Sequence, residues 1–157
     1  MQQRILFKGL QQLKVGGRIS YSTCSLNPVE DEAVVASALK KFKGYIELVD
    51  VELPGFKFRQ GLTNWRMMTE KLEKPSTGTD FFLEFSKYED IPADYHKRRC
   101  LKETMFVNHY DYEILRQLPK CLRVLPHDQN TSGFFITIIK KIKDFDNNVL
   151  DEVVEAP

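Results

Sequence analysis

Tyr21-Ser-Thr-Cys-Ser-Leu-Asn-Pro-Val-Glu-Asp31 is the stretch on which the reading of this chain turns. It predicts a buried strand that ends on a thiol and turns at once into a capped helix. Arg18 to Thr23 alternates, with Ile19, Tyr21 and Thr23 on one face and the small Ser20 and Ser22 on the other. Asn27 suits an N-cap, Pro28 the first helical position, and Glu30 completes the capping-box spacing. The predicted helix continues on an apolar stripe of Val35, Ala38, Leu39 and Phe42, and Gly44 stops it. Cys24 thus falls at the carboxyl end of a strand, where open α/β sheets carry their chemistry.

The residues alone leave two readings of Cys24 open. It is either a small buried thiol packed in a turn, or a nucleophile whose thiolate is favoured by the positive end of the following helix.

Upstream, Leu6, Leu10 and Leu13 recur at helical spacing with Ile5 alongside, predicting a helix from Gln2 to Lys14 that ends at Gly16. Gly16-Gly17 precedes a strand and reads as a turn, not a cofactor loop. Downstream, Tyr45 to Val51 has strand composition and Leu53-Pro54-Gly55 is a turn. From Phe56 to Thr104 the pattern is poor, with one short strand expected around Trp65 to Met68. Lys74 to Asp80 is a loop by composition, which Phe81, Phe82 and Phe85 are expected to dock onto the body. Cys121 to Leu125 and Gly133 to Lys141 predict two strands around a polar turn. The second is apolar on both faces and should lie inside the sheet.

The 157 residues, 42% of them hydrophobic, suffice for one domain with a real core. No apolar run approaches the roughly 20 residues needed to cross a bilayer, and no leader opens the chain, so no membrane partner is expected. Three scattered cysteines make neither a disulfide framework nor a metal site, which suits an intracellular setting. The net charge of +1 conceals an asymmetry: Met1 to Lys143 holds 23 basic against 17 acidic residues, and the charged residues after Lys143 are all acidic. Residues 1–143 are therefore read as the domain and 144–157 as an acidic linker or disordered tail. The basic excess weakly favours contact with a phosphate backbone.

Thr23-Cys24-Ser25, four residues, then Glu30-Asp31-Glu32 resembles the nucleophile motif of the Sun-domain RNA (cytosine-5)-methyltransferases, with Asp31 where that family usually has Asn. Arg123-Val-Leu-Pro-His-Asp-Gln-Asn-Thr-Ser-Gly-Phe-Phe135 resembles the closing hairpin of the branch that modifies transfer RNA, with Ser132 in place of a second glycine. Leu53-Pro54-Gly55, Trp65 and Thr104-Met105-Phe106 fall between them in matching order, so the resemblance runs from about Arg4 to Lys141.

The resemblance implies an α/β fold: the second half of a class I S-adenosylmethionine-dependent methyltransferase (Rossmann-like) sheet, closed by a terminal antiparallel hairpin. It implies Cys24 as the nucleophile that adds to carbon 6 of cytosine and turns carbon 5 into an enamine-like centre able to take a methyl group. It implies RNA, of the transfer type, as partner, and a nuclear or nucleolar location. The family's S-adenosylmethionine contacts and its second, proline-preceded cysteine all precede the Thr-Cys-Ser motif. This chain is accordingly expected to be the distal part of a catalytic domain, unable to bind the cofactor and inactive by itself. Half a sheet would also leave an interior edge unpaired, favouring aggregation.

Thr23 and Ser25 are candidate substrate contacts, though hydroxyls at such turns more often bond their own main chain. Glu30 and Glu32 are expected to complement the helix dipole. Arg98, Arg99 and Lys102, in an exposed basic segment beginning at His96, are candidates for phosphate contact. His127, Gln129 and Asn130 are candidates at an RNA-facing rim, or simply a solvated turn. Trp65 and Cys121 are expected in the core, and Cys100 lacks a base to activate it. Two rival functions stand beside methyl transfer: a truncated form that binds RNA or protein without catalysis, and a thiol hydrolase pairing Cys24 with a histidine.

Overall fold

A single long strand, β7 (Phe134–Lys141), organises the sheet, and every other strand of that sheet is placed relative to it. In this computed structural model, which describes residues 1–71 and 82–146, β1 (Arg18–Thr23) lies along one side of β7, antiparallel, from Arg18↔Lys140 to Thr23↔Phe135. The other side is shared. β2 (Ile46–Val49) pairs with the carboxyl half of β7 and β6 (Leu122–Val124) with its amino half, both antiparallel. β3 (Arg59–Gln60) extends the sheet beyond β6. Since β1, β2 and β6 all oppose β7, those three run parallel to one another on its two sides, and β3, antiparallel to β6, runs with β7. The expected terminal antiparallel hairpin and the interior position of the last strand are both present. The hairpin turn carries a short helix, α5 (Pro126–Gln129), closed by Asn130 in the left-handed region at φ 56°.

One face of the sheet presents Tyr21, Phe135, Ile139, Ile46 and Leu48 to the helices α1 (Gln2–Gln12) and α2 (Glu32–Lys41). Leu6 and Leu10 are the buried residues of α1, while Ile5 points outward. α2 is covered on all sides from Glu32 to Leu39, so it is an interior helix and not the one-sided amphipathic helix that its stripe suggests. Gly44, at φ 80°, ends this segment as expected. After β7 the chain doubles back: Phe145 packs on Phe42 with ring centres 4.6 Å apart, and the buried Lys141 ammonium sits 4.5 Å over the Phe145 ring. Residues 147–157 of the acidic tail lie outside the described residues.

The poorly patterned middle holds more structure than its sequence announces. β4 (Met67–Glu70) and β5 (Phe82–Phe85) form a separate antiparallel hairpin, so the strand expected at Trp65 starts two residues later. Met67, Ile91, Leu101 and Phe106 build a second small core, against which Val29 and Phe85 pack. Phe82 is exposed, and the 74–80 loop and Phe81 lie outside the described residues. His96 to Arg99, expected as an exposed loop, belong to a helix, α3 (Ala93–Arg99). Tyr95 packs on Phe85 and His96 on Tyr88, contacts outside the helix that its own periodicity does not reveal. A further short helix, α4 (Tyr112–Leu115), is capped by Asp111, whose side chain accepts from the Ile114 amide at 2.9 Å.

Two local expectations need correction. β1 is not a buried strand: only Tyr21 along it is buried, because among the described residues the strand is paired on one side alone. The helix after Cys24 begins at Glu32, not at Asn27. Asn27 does behave as a cap, accepting from the Val29 amide at 3.1 Å. Glu30 does not complete the box: the Asn27 amide bonds Ser25 Oγ at 3.0 Å, and Glu30 accepts from Gln2 instead. The turn then widens, with the Ala33 amide reaching back to the Pro28 carbonyl at 2.9 Å. The carboxylates of Asp31 and Glu32 point inward, Asp31 to the Thr23 hydroxyl and Glu32 to Arg123 and the Leu62 amide.

Candidate active site

The turn between β1 and α2 holds Cys24 exposed to solvent at the carboxyl end of its strand. A chain of short-range hydrogen bonds shapes it. Thr23 Oγ1 donates to Asp31 Oδ1 at 2.8 Å and accepts from the Ser25 amide at 3.0 Å. Ser25 Oγ accepts from the Asn27 amide, and the Tyr21 hydroxyl donates to the Glu30 carbonyl. Both hydroxyls of the Thr-Cys-Ser triplet therefore serve the turn itself.

Beneath the turn lies a buried ionic cluster. Arg123, on β6 and 6% exposed, donates through Nε to Glu32 Oε1 at 2.6 Å and through Nη2 to Glu32 Oε2. The same Nη2 lies 3.4 Å from Asp31 Oδ2, and Nη1 donates to the Leu26 carbonyl at 3.1 Å. Glu32 also accepts from the Leu62 amide at 2.8 Å. Arg123 lies 5.7 Å over the Phe135 ring. Glu32 has the two-pronged contact and Asp31 only one long one. Burial therefore dominates for Asp31 and pushes its carboxyl up to about 7, against the pull of Thr23 and Arg123 and with help from the nearby Glu32 and Glu30 charges. Glu32, expected to complement the helix dipole from a solvated first turn, is instead the buried partner of an arginine on another strand.

The other candidate residues are spread out. Arg99 donates to the Lys71 carbonyl at 3.1 Å and sits 3.6 Å from Glu70, so it ties α3 to the end of β4. Lys102 is exposed, and the Arg98 side chain lies outside the described residues. His127 is exposed beside Arg59, which makes a two-pronged bond to Asp128 at 2.9 Å. Gln129 bonds both the amide and the carbonyl of Lys57, and Asn130 closes α5. The α5 side chains thus hold the segment leading into β3. Trp65 is in the core, donating to the Met105 carbonyl at 2.9 Å. Cys121 is fully buried, and its thiol is pushed up to about 12 by that burial. Cys100 is exposed.

The sequence reading missed Asp31, Glu32 and Arg123 as a unit. One signal was present: an arginine between Leu122 and Val124 in an apolar strand requires a buried carboxylate partner. The sequence does not say which of 22 acidic residues supplies it.

A family model described as "16S rRNA methyltransferase RsmB/F" matches residues 1–85. The chain is 37% identical over 159 residues to the tRNA (cytosine(34)-C(5))-methyltransferase of Drosophila melanogaster, an alignment covering 99% of this chain and 20% of that protein. It is 38% identical over 148 residues to the multisite-specific tRNA:(cytosine-C(5))-methyltransferase of Saccharomyces cerevisiae, covering 92% of this chain and 19% of that one. The chain thus spans about a fifth of the length of these relatives. Its fold matches the crystal structure of a methyltransferase homolog from Pyrococcus horikoshii with a TM-score of 0.51 and 28% identity, covering 89% of this chain and 30% of that one.

Proposed function

The chain belongs to the RsmB/F methyltransferase family, and on that premise we propose that it is part of an RNA (cytosine-5)-methyltransferase acting on transfer RNA, with Cys24 as its nucleophile. The observation that carries the reading is Cys24 itself, exposed at a strand's carboxyl end in a turn held by buried side chains, within a stretch that resembles the family's nucleophile motif. The thiolate adds to carbon 6 of a cytosine, forming the sulfur–carbon bond while the electron pair of the 5,6 double bond shifts to carbon 5. The base must leave its stack first, which RNA loops permit at small expense. Sequence similarity to relatives named for transfer RNA supports that substrate class.

S-adenosylmethionine supplies the methyl group in class I methyltransferases. The described residues do not fit it. β1 leads into the Cys24 turn and β2 into the loop before Leu53, without a glycine-rich turn onto a helix. Gly16-Gly17 closes a turn entering β1, with the Gly16 amide on the Lys141 carbonyl. We therefore assign the cofactor to other parts of the protein. The histidines have partners elsewhere: His109 on Lys40 and Glu103, His127 on Arg59 and Asp128, and His96 against Tyr88. That disfavours a Cys24–histidine hydrolase.

Full-length protein trapped on RNA containing 5-azacytosine tests the assignment. Cys24→Ala should give no denaturation-resistant complex, while Cys100→Ala and Cys121→Ala still should. Undiminished trapping in the Cys24 variant would overturn it.

A further inference from the structure

We propose that Asp31 and Arg123 are positioning residues for the nucleophile, gripping the Cys24 turn from both sides through Thr23 and Leu26. The inference rests on the assignment of Cys24 made above. Thr23, one residue before the cysteine, gives its hydroxyl hydrogen to Asp31 Oδ1 at 2.8 Å. Leu26, two residues after it, receives Arg123 Nη1 on its carbonyl at 3.1 Å. The two gripping side chains come from different elements: Asp31 immediately precedes α2, and Arg123 lies on β6. Both are buried, whereas the thiol they bracket is exposed.

The rest of the cluster holds the grip. Glu32 takes Nε and Nη2 of the guanidinium on its two oxygens, which fixes the plane of the group and aims Nη1 at the Leu26 carbonyl. Glu32 is itself held by the Leu62 amide. A nucleophile on an exposed turn has no packing of its own to hold it, and a displacement of about 1 Å can slow a reaction about 100-fold. A buried fork and a buried carboxylate supply that rigidity without occupying the space the base needs.

The grip requires an oxygen acceptor for Thr23, not a negative charge. Asparagine at position 31 keeps that acceptor, as does the neutral form of the aspartic acid. Asp31→Asn should therefore preserve positioning, while Asp31→Ala and Thr23→Val remove it.

The test measures trapping rate on 5-azacytosine-containing RNA with full-length protein, alongside RNA affinity. Thr23→Val and Asp31→Ala should each slow trapping at least about tenfold with affinity changed less than about twofold, because orientation is lost and binding is not. The double variant should be slowed by clearly less than the product of the two single effects, since both remove the Thr23–Asp31 bond. Asp31→Asn should stay within about threefold of wild type, and Arg123→Lys should fall with the alanine variant, because an ammonium cannot serve Glu32 and Leu26 together. Multiplying single effects, an Asp31→Asn rate as low as that of Asp31→Ala, or unchanged rates throughout would overturn the proposal. Thr23 is only half-buried, so its variant remains informative if Asp31→Ala does not fold. Cys24→Ala in the same assay separates the two ideas: persistent trapping there rejects the nucleophile, whereas abolished trapping with intact Thr23 and Asp31 variants rejects the grip alone.

Discussion

At the scale of single residues, two buried carboxylates share one guanidinium. Glu32 takes both prongs, and Asp31 is left with the Thr23 hydroxyl and a long contact. The Asp31 carboxyl, raised to about 7, keeps its proton in the folded protein at pH values where the unfolded chain, with an ordinary aspartate near 3.9, has released it. Its contribution to stability is therefore full below about pH 4 and is lost as pH rises through about 7. Relative to Asp31→Asn, wild type should lose stability over that window by at most about 1.4 kcal/mol per pH unit. Paired urea titrations at pH 4.5, 5.5, 6.5 and 7.5 check this. Parallel profiles for the two proteins would mean that Arg123 keeps Asp31 ionised throughout.

At the scale of elements, close backbone approach decides where the short strand β3 can dock. Gly61 follows it, and the Gly61 amide bonds the Cys121 carbonyl at 2.8 Å. A methyl group at Gly61 would collide with the Leu118 carbonyl oxygen and come within 2.8 Å of Cys121 Cβ. Neither neighbour can swing away, since one is backbone and the other a fully buried residue. Gly61→Ala should cost about 1–3 kcal/mol, the range for overpacking a well-filled interior. Chemical denaturation measures it, and a loss under about 0.5 kcal/mol would show that the β3 segment yields. The displaced start of α2 has a related cause: inward bonds to Asp31 and Glu32 outcompete the regular capping box that Asn27 and Glu30 spell out.

At the scale of the whole molecule, β7 joins β1 to the hairpin, and the outer edge of β1 is unpaired among the described residues. The sheet face bearing Ser20, Ser22, Ile136 and Ile138 is less covered than the helical face, whose core residues Phe135 and Ile139 are fully buried. No strand-to-helix turn of the described residues has the glycine-rich form suited to an adenosyl cofactor. Calorimetry on the 157-residue chain should therefore show no saturable S-adenosylmethionine binding at sub-millimolar ligand. A micromolar dissociation constant would show that these residues do build a cofactor site.

Read by itself, the sequence determined what is local and periodic. β1 was legible from the alternation of Arg18 to Thr23, the interior place of β7 from its apolar residues on both faces, and the strand-end position of Cys24 from the point where that alternation stops. The Gly44 stop and the hairpin at its far end were also legible, since each depends on residues close in the chain. Only the tertiary structure decided that Arg123 meets Glu32 across 91 positions, that Leu62 joins them, and that α3 packs where a loop was expected. It also decided that β1 is half-exposed. Periodicity records which side of an element is apolar, but a buried charge is satisfied by whichever partner the fold brings to it. That partner is chosen by geometry across the sheet, not by spacing along the chain.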